Sequence, residues 1–311
     1  MIFLFIAAIL ASIILAISYY CYRTAFWSGP RKGPDPDRID VPTGDIYDVY
    51  HDDMVRWGFQ VRDLPHEDVE IQSFDGLTLR GKYFEYAPGA PVEILLHGYR
   101  GNAERDMSGG VLRCRKLGRS ALLVDHRAHG QSDGKVITFG VHEHKDCLQW
   151  VDFLIKKLGP EVKIILTGIS MGASTAMICA GTDLPKNVVG VLADCGFSSP
   201  RAIMQKVIKD MGLPPKLSYP FVKLGARLYG HFNLEEVSAI EAVKRAKIPI
   251  IFYHGESDDY VPCHMSRDCY EACASKKALV TIPGAGHGLC YPTDPTLYLG
   301  TLQEFSKNWL L

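Results

Sequence analysis

Apolar positions follow three successive patterns along the chain. From residue 2 to residue 17 only Ser12 interrupts an apolar run, and Tyr19, Tyr20, Tyr22, Phe26 and Trp27 follow it. A run of this length is what a helix needs to cross a bilayer, and aromatic rings collect where a span leaves the hydrocarbon. A cleaved leader carries a basic start and a shorter apolar stretch, and a lipoprotein cysteine follows small residues, whereas Cys21 follows two tyrosines. The pattern predicts a retained transmembrane anchor over residues 1–22. The second pattern, "SGPRKGPDPDR" at 28–38, is proline, glycine and charge without a period, and predicts an extended tether; residues 23–66 are assigned to tether and lead-in.

The third pattern fills residues 67–311. "DVEIQSF" and "LTLRGKYFEY" alternate with period two on either side of Asp75-Gly76, which predicts a hairpin. Short apolar runs follow: "VEILLHG", "ALLVD", "VKIILTG", "VVGVLAD", "IPIIFYHG" and "ALVTIPG". Helical stretches separate them; "VHEHKDCLQWVDFLIKKLG" puts Cys147, Leu148, Val151, Leu154, Ile155 and Leu158 on one face. Buried strands alternating with helices predict an α/β domain with a mostly parallel central sheet, helices on both faces and the leading hairpin as antiparallel edge strands. Between Phe197 and Ile240 no strand pattern occurs, and "GLPPKLSYPF" lies among helical stretches. This predicts a short helical cap insertion at about residues 200–240, above the strand ends where such sheets bind ligands.

Composition narrows the chemistry. The 311 residues carry a formal charge of −1, without the basic excess of a nucleic-acid binder, so no nucleic-acid partner is expected. The 9 cysteines show no CxxC pair or framework spacing, which reads as reduced, buried thiols; neither a metal nor a cofactor is expected. "HEHKD" at 142–146 is not HExxH, because Asp146 stands where the second histidine belongs, and reads as a solvated helix start. Arg23, Arg31 and Lys32 follow the apolar run while only the terminal amine precedes it, so the bulk of the protein is expected on the cytoplasmic side.

Two stretches, "GQSDG" and "GISMG", carry the pattern GxSxG. A serine hydroxyl becomes a useful nucleophile only at a sharp turn between a strand and a helix, beside a base and near donors for the oxyanion. Ser170 follows a β-branched strand and precedes a helix of small and apolar residues, whereas Ser132 follows polar residues and leads into no helix. Ser170 is the candidate nucleophile and Ser132 a loop residue. The order serine, acid, histidine is completed by Asp258 in "HGESDDYVP" and His287 in "GAGHG", each after a later strand; Asp259 and Asp194 are rival acids. His287 would take the serine proton and pass it to the leaving group, and the acid would hold the imidazole tautomer. The oxyanion donors expected are the backbone amides of Met171 and Tyr99. Cys195 and Cys290 lie near strand ends and read as inert buried thiols.

With "LLHGYRGN", "DHRAHGQSDG", "GISMGA", "HGESDDYVP" and "GAGHG" in this order, the chain resembles the α/β-hydrolase superfamily over residues 68–311. It is similar to membrane-anchored bacterial serine hydrolases and to eukaryotic α/β-hydrolase-domain acyl-protein thioesterases. In the family pattern HGxxDxxVP the acid is the aspartate that matches Asp258. Tyr99 departs from the Gly-rich oxyanion motif of some esterase branches. The resemblance implies hydrolysis of an ester, thioester or amide through an acyl-enzyme. The expected reading is a carboxylester or thioester hydrolase acting on small or lipid-like acyl substrates. An amidase or aminopeptidase on the same triad, and a catalytically silent binding protein of the same fold, are the alternatives.

Overall fold

In the computed structural model of the protein, residues 1–31, 33 and 35–310 are described; Lys32, one of the cations in the orientation argument, lies outside them with Pro34 and Leu311. All of the strand patterns form strands: β1 (Glu67–Gln72), β2 (Thr78–Phe84), β3 (Val92–Leu96), β4 (Ser120–Val124), β5 (Ile164–Ile169), β6 (Val188–Asp194), β7 (Ile250–Gly255) and β8 (Lys277–Ile282). They make one sheet in the order β1-β2-β4-β3-β5-β6-β7-β8. β1 and β2 pair antiparallel, β2 meets β4 antiparallel, and the remaining neighbours are parallel.

Period-two alternation along the buried strands divides the core. Ile94, Leu96, Leu166, Ala193 and Phe252 face helices Glu143–Leu158 and Met171–Ala180, while Leu95 and Leu123 face helix Ala103–Lys116 and Ile165 and Tyr253 face helix Pro295–Trp309. The chain leaves β3 for β4 on one side and returns across it to β5 on the other. The loops after β3 and β5 therefore diverge and leave a crevice between them, the switch point at which α/β sheets bind ligands.

Between β6 and β7 stand helices Pro200–Asp210, Pro215–Leu228 and Ala239–Val243, the expected cap insertion. Its apolar faces meet Phe197, Val261 and Met265 at the carboxyl end of the sheet.

One expectation is corrected. The "HEHKD" segment is not a solvated helix start: Glu143, His144 and Asp146 are buried. The Glu143 carboxylate accepts the amides of Thr138 and Gly140 at 2.8 Å, and Asp146 accepts both Arg127 Nε and Nη2 at 2.6 Å. A loop folded over the helix start supplies the donors that make such burial tolerable. The lead-in part of residues 23–66 is packed on the domain. The first helix runs over Ile2–Ala25, Ile39 is buried against Gly58, and helix His51–Arg62 packs on helix Ala103–Lys116. The spacing of Met54, Trp57 and Val61 is a helix-face signal that fits this packing.

Candidate active site

Ser170 sits between β5 and helix Met171–Ala180 with φ 55° and ψ −115°, a strained left-handed conformation for a residue with a side chain. Its flanking glycines are required by close backbone contact: a Cβ on Gly168 would lie 2.2 Å from the Gly172 carbonyl carbon, and one on Gly172 would lie 2.0 Å from Leu96 O. These contacts hold the turn tight and place the hydroxyl at the end of the strand.

His287 Nε2 lies 3.0 Å from Ser170 Oγ, and its Nδ1 lies 2.7 Å from Asp258 Oδ2. A carboxylate only accepts, so Nδ1 carries the proton and Nε2 is left to accept from the serine hydroxyl. The other oxygen, Asp258 Oδ1, accepts the amides of Tyr260 at 2.9 Å and Val261 at 2.8 Å. Burial pushes the Asp258 carboxyl up, but hydrogen bonds from His254 and His287 outweigh it and hold the group at about 2. His254 is itself oriented by Ser266 Oγ and Val261 O, each at 2.7 Å. Neither rival acid is paired with His287: Asp259 is exposed, and Asp194, which lines the same cavity and accepts the Ser170 amide on its backbone carbonyl at 2.8 Å, is buried with Oδ1 unpartnered among the described residues.

Gly98 and Arg100 bracket the Tyr99 amide. Gly98 N–H donates to Asp106 Oδ2 and Arg100 N–H to His129 Nε2, each at 3.0 Å. Among the described residues, neither the Tyr99 nor the Met171 amide donates to a backbone carbonyl. Ser132 is buried away from this arrangement; its Oγ donates to Asp125 O at 2.7 Å and accepts from Arg80 N at 2.8 Å. A cavity of about 260 Å³ opens on Ser170 and His287.

Comparison with known proteins follows from this geometry. The profile of the prolyl oligopeptidase family matches residues 138–311, which include Ser170, Asp258 and His287. The chain belongs to the prolyl oligopeptidase family. It is 28% identical to the Bacillus subtilis protein YqkD over 281 residues, 89% of this chain and 88% of that one. It is 24% identical to human ABHD12B over 269 residues, 77% of this chain and 68% of that one. Among solved structures, the Pyrococcus furiosus esterase Pf2001 superposes with a TM-score of 0.66 at 24% identity, covering 91% of this chain and all of that one (100%). The fold is that of the α/β-hydrolase superfamily, and the chain is a hydrolase of that group.

In this member of the prolyl oligopeptidase family, part of the cavity wall comes from the segment assigned to the lead-in. Pro42, Tyr47, Met54 and Trp57 line it together with Tyr260 and Tyr291. The lead-in residues Pro42, Tyr47, Met54 and Trp57 carry no motif, which is why sequence reasoning missed them. Of the acids at the cavity, Asp106 is turned toward the Gly98 amide and toward Arg105 Nε at 3.0 Å. Cys195 Sγ, Asp258 and His287 place donor atoms within 4.8 Å of one another. A cation there would have to break the His287–Asp258 hydrogen bond, and burial pushes the Cys195 thiol up, away from the thiolate a soft metal needs. Burial likewise raises the Cys290 thiol.

Proposed function

We propose that the protein is a serine hydrolase that cleaves carboxylic ester or thioester bonds through an acyl-enzyme on Ser170. The continuous contact Ser170 Oγ to His287 Nε2 to Asp258, at 3.0 and 2.7 Å, carries this reading. Ser170 Oγ attacks the acyl carbon while His287 takes its proton, and the tetrahedral oxyanion is received by the Met171 and Tyr99 amides. The intermediate collapses as His287 protonates the leaving alcohol or thiol. Water, deprotonated by His287, then releases the acid and restores the serine. Asp258 stays ionised and stabilises the imidazolium. Loss of one oxyanion donor typically costs about 2.7–4 kcal/mol of transition-state stabilisation.

The aromatic and methionine lining of the cavity favours an apolar acyl group. The Pyrococcus furiosus relative is an esterase by name, which agrees with the ester reading. A second reading, amide or peptide cleavage on the same triad, is favoured by the family match itself. We also infer that helix Ile2–Ala25 is a retained membrane anchor, with the catalytic domain on the cytoplasmic side. In support, Ser18, Tyr22 and Phe26 on its inner end are buried in the domain, where a cleaved leader would leave a hole.

The test is hydrolysis of p-nitrophenyl esters from acetate to palmitate by the full chain in detergent, alongside aminoacyl p-nitroanilides. Ester turnover with a chain-length optimum is expected. Turnover of anilides alone would favour the amidase reading, and turnover of neither would leave a silent binding fold.

A further inference from the structure

We infer that the inner end of the N-terminal helix is a positioning element of the oxyanion hole, fastened to the loop after β3 by Tyr99 and Arg100; this rests on the serine-hydrolase reading above. An oxyanion donor works only when its N–H is held within a few tenths of an ångström of the developing charge. The loop that carries the Tyr99 amide is strained, with Arg100 at φ 55°, and such strain persists only where surrounding contacts impose it.

The loop backbone is held by Asp106 and His129, and its two side chains are held by the end of the first helix and by Trp27 just after it. The last carbonyls of that helix have no partner within it. Tyr99 Oη donates to Ala25 O at 2.8 Å, and Arg100 Nη2 donates to Thr24 O at 2.8 Å and to Trp27 O at 3.1 Å. Arg100 Nε donates to Tyr99 Oη at 2.7 Å, so the two side chains form one unit. A guanidinium at a helix carboxyl end also meets the negative pole of the helix dipole.

The helix end is in turn fixed to the domain. Ile137 N–H donates to Phe26 O at 2.8 Å and Ser28 N–H to Lys135 O at 3.0 Å. At Gly225 the cap helix approaches so closely that a Cβ would lie 2.4 Å from Ser18 O. The side chain of Met171, the other proposed donor, belongs to the same apolar cluster as Tyr22 and Phe26. The loop side of the hole is therefore bonded to the helix that is also read as the anchor, and the Met171 side shares an apolar cluster with it.

The experiment uses the full chain in detergent micelles with p-nitrophenyl butyrate and an alkyl trifluoromethyl ketone, which adds to the serine and leaves an oxyanion in the hole. Tyr99→Phe, Arg100→Ala and Arg100→Lys are compared with Tyr229→Phe, which removes a helix-to-cap hydrogen bond to Leu15 O (3.2 Å) without touching the loop. Arg100→Ala is expected to lower kcat by about tenfold or more with KM within about twofold, and to weaken the ketone by the same factor. Tyr99→Phe should show a smaller loss of the same kind, Arg100→Lys should recover part of it, and Tyr229→Phe should keep parental values. The inference is overturned if Tyr99→Phe and the folded Arg100 variants keep parental kcat and ketone affinity, or if Tyr229→Phe loses as much as they do. A parent that reacts with neither the ester nor a fluorophosphonate overturns the hydrolase reading itself, and this inference with it.

Discussion

At the scale of single residues, the two GxSxG serines differ in what their hydroxyls touch. Ser170 Oγ meets a histidine, and Ser132 Oγ is spent on a carbonyl and an amide that tie β2 to the loop after β4. The glycines are as demanding as the serine. Gly172→Ala would drive its Cβ into Leu96 O, and overpacking of this kind costs about 1–3 kcal/mol or more. The variant is expected to melt earlier in a thermal scan and to lose activity beyond that, because the turn must open; parental melting and turnover would contradict the steric account. This part of the site was legible in the chain, because the serine, the glycines, the histidine and the aspartate all lie at strand ends whose apolar runs mark them. The choice of Asp258 over Asp259 was less so, since adjacent residues share a loop and spacing alone does not separate them; there it rested on the family pattern HGxxDxxVP.

At the scale of elements, buried charge organises the centre of the sheet in a way the apolar pattern hides. Glu93, in the middle of β3, accepts from Arg113 Nη2 and Arg119 Nη1 at 2.5 Å and from Thr167 Oγ1 at 2.8 Å, all buried. Burial pushes its carboxyl up, but the two guanidinium charges more than compensate and hold it at about 2. Glu93→Ala would leave two buried cations unpaired, and a loss of about 3–5 kcal/mol is expected in urea unfolding of the domain. A change below about 1 kcal/mol would mean the arginines find other partners. A polar letter in a strand pattern ordinarily reads as an outward position; that Glu93 points inward depends on arginines 20 and 26 residues away. Likewise the "HEHKD" helix start is buried because Arg127 folds back over it, which no local period encodes.

At the scale of the whole molecule, acidification bears on the loop after β3, to which the first helix is also hydrogen-bonded. Burial, then neighbouring His97, holds His126 and His129 well below the usual imidazole value of 6.5. His129 must stay neutral because its Nε2 accepts the Arg100 amide. Below about pH 6.5 the unfolded chain takes up protons that the folded chain refuses, so stability is greatest above that pH and falls as pH drops below it. The lowered carboxyls of Asp258 and Glu93 act in a separate window, withdrawing their contribution only as pH falls from about 4 toward about 2. Asp146, which burial raises to about 6, acts the other way in this window, but lowered His126, His129 and His144 outnumber it, so a melting temperature lower at pH 5.5 than at pH 7.5 is expected; a rising profile would contradict the neutral-histidine assignment.

The global fold was readable from alternating runs and helical periods, whereas the docking of residues 15–28 and 39–62 was not, because those contacts join segments separated by tens to more than two hundred residues. The most direct test of the central claim is to label the detergent-solubilised full chain with a fluorophosphonate and map the adduct by mass spectrometry, alongside Ser170→Ala and Ser132→Ala. The account predicts a single adduct on Ser170, absent from Ser170→Ala and undiminished in Ser132→Ala. An adduct on Ser132, or labelling that survives Ser170→Ala, would contradict it.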